Sequence, residues 1–405
     1  MAPVATDPMA GLSGTCADVR QGDAQDAVDG VGPAYVARPG STEETGELLR
    51  AAAAYGLAVV ARGAGTKLTW AAPPTRVDLV VDLSALSAVV DHAAGDLVVV
   101  AEAGCPLADL QAAVAPAGQR LAIDEPIAGS TLGGLIATNG SGPSRMLYLT
   151  LRELMIGTTV VRADGVVAHS GGRVVKNVAG YDLGKLMTGS FGTLALVTRA
   201  VFRLHPVPES TAVLMAPAAD AGDAGRLAAA VIHSDVVPSA VEVDWPGGGG
   251  SVAILLEGSE RGVAARAEAA RGLLGAAVEV SAGMPGWWGR YPWRAGEIAL
   301  KLTCALSGVP RLLATGRDSG AVLRGSAGAG VLYGALPAEA ADRVVPLREL
   351  CTSLGGSLVV LDAPPEVKAR LDLWGPVPAL DLMRAVKDQF DPDHRLAPGR
   401  FVGGI

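Results

Sequence analysis

Histidine is scarce in this 405-residue chain. His92, His169, His205, His233 and His394 never fall within six positions of one another, and no HxH or HxxxH pair exists to hold a metal. The four cysteines, Cys16, Cys105, Cys304 and Cys351, are scattered too. Without a CxxC pair or a small-domain framework, they describe neither a disulfide scaffold nor an iron–sulfur carrier, and a reducing cytoplasm is the expected setting. Positive charge is in deficit: 33 Lys and Arg face 41 Asp and Glu, for a net charge of −8. With no basic block, general nucleic-acid binding is excluded, because it needs clustered cations against phosphates. No apolar run approaches the ~20 residues that span a bilayer. Residues 1–30 lack a basic start followed by an apolar stretch, so no signal peptide is expected. Aromatic residues make up 4%, yet hydrophobic residues reach 50%, mostly Ala and Val, which suffices for a sizeable core and excludes global disorder.

The length allows two or three domains. Residues 1–30 are small, polar and acidic and read as a flexible lead with one short helix. From Tyr35 the pattern becomes regular. YVARP is a short strand, and Ser41 caps a helix running to about Tyr55 through an acidic first turn. LAVVARGAGT is a strand entering a glycine turn. VDLVVDLS and GDLVVVAEAG are further strands, and Leu107, Leu110 and Val114 share one helix face. LMIGTTVVRADGVVAHSG is a hairpin turning at Ala163-Asp164-Gly165. Composition shifts at about Pro206–Glu209. Beyond it, strand and helix alternate through two rounds, as expected of an antiparallel α+β domain with helices on one face. Five of the six tryptophans lie between Trp245 and Trp374, and all four phenylalanines lie outside that span, which suggests two separately built cores.

Three glycine-rich segments carry the chemistry. In Arg62-Gly63-Ala64-Gly65-Thr66-Lys67, glycines let successive N–H groups converge on an anion, with Arg62 and Lys67 adding charge and Thr66 a hydroxyl. Taken alone, the segment is also an ordinary turn. A dinucleotide-fold turn fails, since position 68 is Leu68 and no helix opens there, and no GxxxxGK[ST] exists. The second runs from Pro126 through Gly129, Ser130, Thr131, Gly133 and Gly134 to Thr138, Asn139, Gly140 and Ser141. Five glycines and five Ser, Thr or Asn residues fall between Gly129 and Gly142. Such a backbone suits a flat or anionic ligand, or simply tight packing on a sheet. The third, GGRVVKNVAGYDLGKLMTGSFGTLALVT, brackets polar residues with glycines. Tyr181 and Asp182 suit a helix cap, and Gly192-Thr193 precedes a strand.

In order and spacing these segments resemble the PCMH-type FAD-binding domain of the vanillyl-alcohol oxidase/p-cresol methylhydroxylase superfamily, and within it the FAD-binding E subunits of bacterial glycolate oxidases. The likeness covers about Tyr35 to Pro208, and again DLMRAVKDQFDPDHRLAPGRF at the end. The resemblance implies an α+β fold: a two-subdomain FAD-binding domain over 31–207 (about 31–95 and 96–207), a ferredoxin-like α+β cap over 208–375, and a C-terminal helix and tail, 376–405, returning to the FAD domain. It implies non-covalent FAD. Arg62 to Lys67 would hold the pyrophosphate, Pro126, Gly129 to Gly134 and Thr138 to Ser141 the ribityl chain and flavin, and Ser190, Gly192, Thr193, Leu194 and Val197 a ring system. Relatives that tether the flavin use a histidine after the first turn, where this chain has Thr66-Lys67. Cys105 is the alternative tether, but buried free cysteines are common.

Relatives that oxidise D-2-hydroxy acids directly carry a histidine-containing metal motif in the cap, which this chain lacks; no metal is expected. The cap offers Trp287-Trp288-Gly289-Arg290-Tyr291-Pro292-Trp293-Arg294, where Arg290 and Arg294 suit a carboxylate clamp or the aromatics a packed loop or interface. Arg400 and Lys176 are further cations placed near the flavin by resemblance, and Tyr181 is the best available base. The implied activity is oxidation of a small 2-hydroxy acid such as glycolate, or electron relay from it. It would operate beside a second flavoprotein subunit and an iron–sulfur subunit, in the cytoplasm or on a membrane through those partners. The alternatives are a free-standing FAD-dependent oxidase or dehydrogenase of another hydroxy acid or alcohol, and a flavin-free interaction protein.

Overall fold

The computed structural model describes residues 7–173 and 180–405. Short β-branched runs build a first sheet in the order Val19–Gln21, Tyr35–Ala37, Leu79–Asp82, Val59–Arg62; the last three strands are parallel and the first is antiparallel. A parallel pair needs a crossover, and helix Thr42–Ala54 supplies it. Ser41 Oγ caps the helix by accepting from Glu44 N, and Leu48, Leu49 and Ala52 are buried against the sheet. The Val59–Arg62 edge is extended by the C-terminal tail: Val59 N donates to Arg395 O and Ala397 N to Val59 O, both at 2.7 Å.

From Asp7 on, the lead is built into the fold. Helix Pro8–Ser13 buries Leu12, strand Val19–Gln21 joins the first sheet, and Asp26 is buried between Arg20 and Arg62. The low apolar content of this stretch hid an anchor made mostly of ion pairs.

The second sheet is antiparallel, in the order Val89–Ala93, Val98–Glu102, Leu196–Arg203, Met155–Val161, Val167–Gly171. Leu196–Arg203 alternates buried and half-buried positions with the period of two that a one-sided sheet requires. Its inner face packs on helices Leu107–Val114 and Leu132–Thr138 through Leu110, Leu135, Ile136 and Phe202. The glycine turns lie between this sheet and the first.

The remaining sheet has eight antiparallel strands from two consecutive βαββαβ units. The first comprises Ser210–Ala218, helix Ala221–Ile232, Ala240–Trp245, Gly250–Gly258, helix Glu260–Leu274 and Glu279–Ser281. The second comprises Ile298–Thr303, helix Val309–Asp318, Val322–Ser326, Val331–Leu336, helix Val344–Ser353 and Leu358–Asp362. In each unit the first strand lies between the third and the fourth, the ferredoxin-like order, and the units join through their second strands, Ala240–Trp245 against Val322–Ser326. All four helices cover one face over a core that includes Trp245, Leu300 and Leu312. The bare face turns to the FAD-binding part, which it meets through Trp70, Ala299, Tyr333 and Leu361. Strand Val322–Ser326 escapes a sequence reading because Gly325 and the small residues after it resemble a turn. No described helix is long and apolar enough to cross a membrane.

Candidate functional site

The turn after strand Val59–Arg62 opens into a cleft between the two smaller sheets. Gly63, Thr131, Gly134, Ala137 and Phe191 line both of its lobes. One lobe, about 470 Å³, continues along Ala64 to Leu68, Thr138 and Arg400. The other, about 540 Å³, continues along Ala103, Gly133, Ser190, Gly192 and Val197. Segments more than sixty residues apart in the chain therefore share one cleft.

Backbone constraints explain the glycines. Gly65, Gly129 and Gly192 have φ of +76°, +77° and +74°, where an L side chain costs about 1–2 kcal/mol. A Cβ on Gly63 would overlap Thr131 Oγ1, and one on Gly133 would sit 3.0 Å from the Ala103 carbonyl oxygen. Among the described residues, the amides of Gly63, Ala64, Gly65, Thr66 and Lys67 find no acceptor. A row of unpaired N–H groups in a cleft is an anion cradle. Asn139, at φ +48°, buries an Oδ1 with no partner.

The cations divide differently from the expectation. The Arg62 guanidinium is held by Asp26 at 3.0 Å and Asp82 at 2.9 Å, so its charge is neutralised within the fold. Lys67 lines the cleft and donates to Ser130 Oγ at 2.7 Å; burial lowers its pKa to about 8, against the pull of Glu125. Arg400 donates to the carbonyls of Leu68 and Trp70, both at 2.7 Å, which fixes the end of the loop, and burial lowers its pKa to about 10. Gly129, Asn139, Gly140, Thr193 and Leu194 do not line the cleft; Thr193 and Leu194 border an apolar depression beside helix Leu380–Phe390. Cys105 is fully buried, and desolvation pushes its thiol up to about 11, so it stays protonated and unsuited to tethering a flavin.

These groups fit an FAD. Its two phosphate charges would meet main-chain N–H donors with Lys67 beside them, and its rings would lie along Ala103, Phe191 and Val197. A Gly63→Ala variant is expected to displace Thr131 and narrow the cleft where its lobes meet. The purified protein should lose most of its flavin, read as released flavin per protein after acid precipitation. Flavin content equal to wild type would refute this placement.

A second cavity lies between the cleft and the bare face of the eight-stranded sheet. Pro126, Ser141, Gly142, Pro143 and Arg145 line one side; Glu242, Gly289, Arg290, Tyr291, Arg324, Gly325, Ser326, Val331 and Tyr333 line the other. Pro126 and Ser141 thus face the cap. Arg145 is buried, donating to Ser141 Oγ and, at 3.1 Å, to the Tyr333 hydroxyl. Lys301 stands directly across the strand pair from Tyr333. Desolvation, with Arg145 nearby, lowers its pKa to about 8. Neither Arg145 nor Lys301 has a carboxylate within ion-pair distance among the described residues. Tyr291 stacks on Trp293 at 4.3 Å and packs on Tyr333, and burial holds its phenol well above the usual range.

Of the expected catalytic residues, Arg290 alone borders this cavity, at its exposed rim. Arg294 is exposed and away from it, because the neighbouring aromatics pack inward against Trp70 and turn the arginine out. Tyr181 is 93% exposed and borders neither cavity among the described residues; Asp182 caps the following helix. Lys176 lies outside the described residues. The sequence reading passed over Arg145, Glu242, Lys301 and Tyr333. For the two strand charges, the signal was a charge inside an otherwise apolar strand, AVEVDW and IALKLT, where alternation turns one face to the core and the other to the site. No group of three His, Cys, Asp or Glu residues at metal-binding distance occurs among the described residues.

Residues 33–171 match the family described as FAD binding domain. An uncharacterized FAD-linked oxidoreductase of Mycobacterium tuberculosis is 35% identical over 52% of this chain and 46% of its own. Glycolate oxidase subunit GlcD of Bacillus subtilis is 32% identical over 53% and 46%, and subunit GlcE of Escherichia coli 34% over 38% and 44%. The chain spans about half the length of the curated relatives it matches. A solved alkyldihydroxyacetonephosphate synthase superposes with a TM-score of 0.67 over 91% of this chain and 77% of that one, at 17% identity, a likeness of fold. Residues 33–171 therefore match an FAD-binding domain, with a fold of the PCMH type, and the chain is similar in sequence to glycolate oxidase subunits.

Proposed function

We propose that the chain oxidises a small 2-hydroxy acid in the cavity between cap and FAD cleft. One observation carries this reading: Arg145, a buried cation lining the cavity, has no carboxylate within ion-pair distance among the described residues, and Lys301 lies one strand away beside Tyr333. A desolvated charge is costly unless matched, so a cavity lined by one suits an anionic ligand. Bound FAD supplies the two-electron acceptor. Arg145 receives the substrate carboxylate while Ser141 and Tyr333 hold its guanidinium in place. Tyr291, Trp293 and Trp70 exclude water around it. Relatives named for glycolate, D-lactate and D-2-hydroxyglutarate support the substrate class.

The test is anaerobic rapid mixing of the isolated holoprotein with glycolate and with D-lactate. Bleaching of the flavin within seconds is expected. A flavin that stays oxidised with both would overturn the reading and favour the second one, an electron-relaying E-type subunit beside a catalytic flavoprotein and an iron–sulfur subunit. Likeness to subunits GlcD and GlcE supports that second reading.

A further inference from the structure

The cap's two units meet along Ala240–Trp245 and Val322–Ser326. Val241, Val243 and Trp245 enter the helix-side core, so Glu242 and Asp244 emerge on the opposite face. There Glu242 stands across from Ser326, and Asp244 across from Arg324. The two carboxylates have different fates. Asp244 pairs with Arg324 at 2.7 Å. Glu242 is 3% exposed, has no cation within ion-pair distance among the described residues, and leaves Oε1 without a hydrogen bond; Ser326 Oγ is equally unpartnered. Among the residues bordering the cavity, Glu242 is the one carboxylate. A buried, unpaired acid contributes nothing to stability and is retained where it acts.

We propose that Glu242 is the base that removes the substrate's hydroxyl proton. The inference rests on the 2-hydroxy acid reading above. The substrate O–H bond breaks and its proton passes to the Glu242 carboxylate. The C2–H bond breaks, and its hydrogen and electron pair reduce FAD. The C2–O single bond becomes the carbonyl of a 2-oxo acid, leaving protonated Glu242 to donate to that oxygen.

The other groups at or near the cavity suit the role less. Arg145 and Arg324 are guanidinium ions, which hold their protons. Asp124 already accepts from Ser144 N at 2.8 Å and Ser144 Oγ at 3.0 Å. Tyr291 holds its proton too tightly. Tyr333 accepts from Arg145 and donates to Ser141 O. Arg290 is a rim cation, and Lys301 does not border the cavity. Burial raises Glu242 to about 8, near the working range of a base.

The test compares wild type with Glu242→Gln and Glu242→Asp, each checked for flavin content. In wild type, bleaching by D-lactate should accelerate as pH rises through about 8, the pKa of Glu242. E242Q should bleach about 10²–10⁴-fold more slowly and lose that rise; E242D should keep it. A second readout needs no turnover: pyruvate is titrated into the oxidised holoprotein above pH 8 in weak buffer. Wild type should take up about one proton more than E242Q, because the keto oxygen favours protonated Glu242. E242Q bleaching within about threefold of wild type with the same pH profile, or equal proton uptake, overturns the proposal. If wild-type flavin resists D-lactate and glycolate, the hydroxy-acid reading fails, and the pyruvate arm still reports on Glu242.

Discussion

Replacing Lys387 with methionine is expected to lower the unfolding free energy by about 3–5 kcal/mol, the usual consequence of stranding one member of a buried ion pair. Lys387 and Asp391 are both fully buried, 2.7 Å apart and one turn apart at the end of helix Leu380–Phe390. The ammonium also donates to the carbonyls of Thr193 at 2.7 Å and Leu396 at 2.9 Å, so its three protons are all engaged. Asp391 Oδ2 accepts in addition from Leu396 N at 2.7 Å. The pair therefore ties the helix to the Ser190–Leu194 turn on one side and to the tail that extends the first sheet on the other. K387M should weaken FAD binding as well, because Thr193 loses its anchor two positions from Phe191, which lines the cleft. Urea unfolding and flavin titration would measure both effects. A double variant, K387M with Asp391→Leu, should recover part of the loss, since the stranded carboxylate is gone. A K387M protein as stable as wild type would show that the pair is dispensable.

The second large effect is expected at the anion site. Truncating a desolvated charge that pairs with a ligand charge costs about 2–5 kcal/mol, or roughly 30-fold to several-thousand-fold in affinity. Arg145→Leu and Lys301→Met should each weaken binding of a 2-hydroxy acid within that range, with flavin content unchanged. Lys301 adds a pH signature. In the proposed site it would aid an anion only while protonated, and its pKa is about 8 before a ligand binds, so affinity should fall as pH rises above that value. The anion's own charge raises the pKa of the complex, so binding at alkaline pH should take up a proton. K301M should lose this descending limb, whereas E242Q should lose the ascending one. Opposite limbs for two groups on one sheet face separate carboxylate capture from proton removal. Unchanged affinity in both cation variants would mean that the ligand is not anionic.

Part of the cleft was legible in the sequence, and for a backbone reason. Gly63, Gly65, Gly133 and Gly192 are required by φ or by close approach, and such constraints leave glycine where other residues are excluded. The strands around the cleft were legible as short apolar runs, those of the first sheet buried on both faces and Leu196–Arg203 alternating. The substrate side was harder to read. Arg290 and Arg294 stood out because they lie among aromatics, but those aromatics form the packed seam between cap and FAD domain and leave Arg290 at the rim and Arg294 in solvent away from the cavity. Glu242 and Lys301 matter through what stands beside them, Ser326 and Tyr333, which are more than thirty residues away and adjacent only through strand register. The lead was misread for a related reason: Asp26 looks like a solvated acid until Arg62 is folded onto it.

The seam through the eight-stranded sheet separates two kinds of change. The FAD cleft draws on residues that precede Ser210 and on the tail, whereas the floor of the substrate cavity is assembled from matching second strands of a repeated unit. One copy contributes an acid and the other a hydroxyl and a guanidinium, although both strands occupy the same place in their units. Equivalent positions in the two units thus carry different chemistry, and exchanges along that seam would alter the cavity without touching the glycine turns of the cleft.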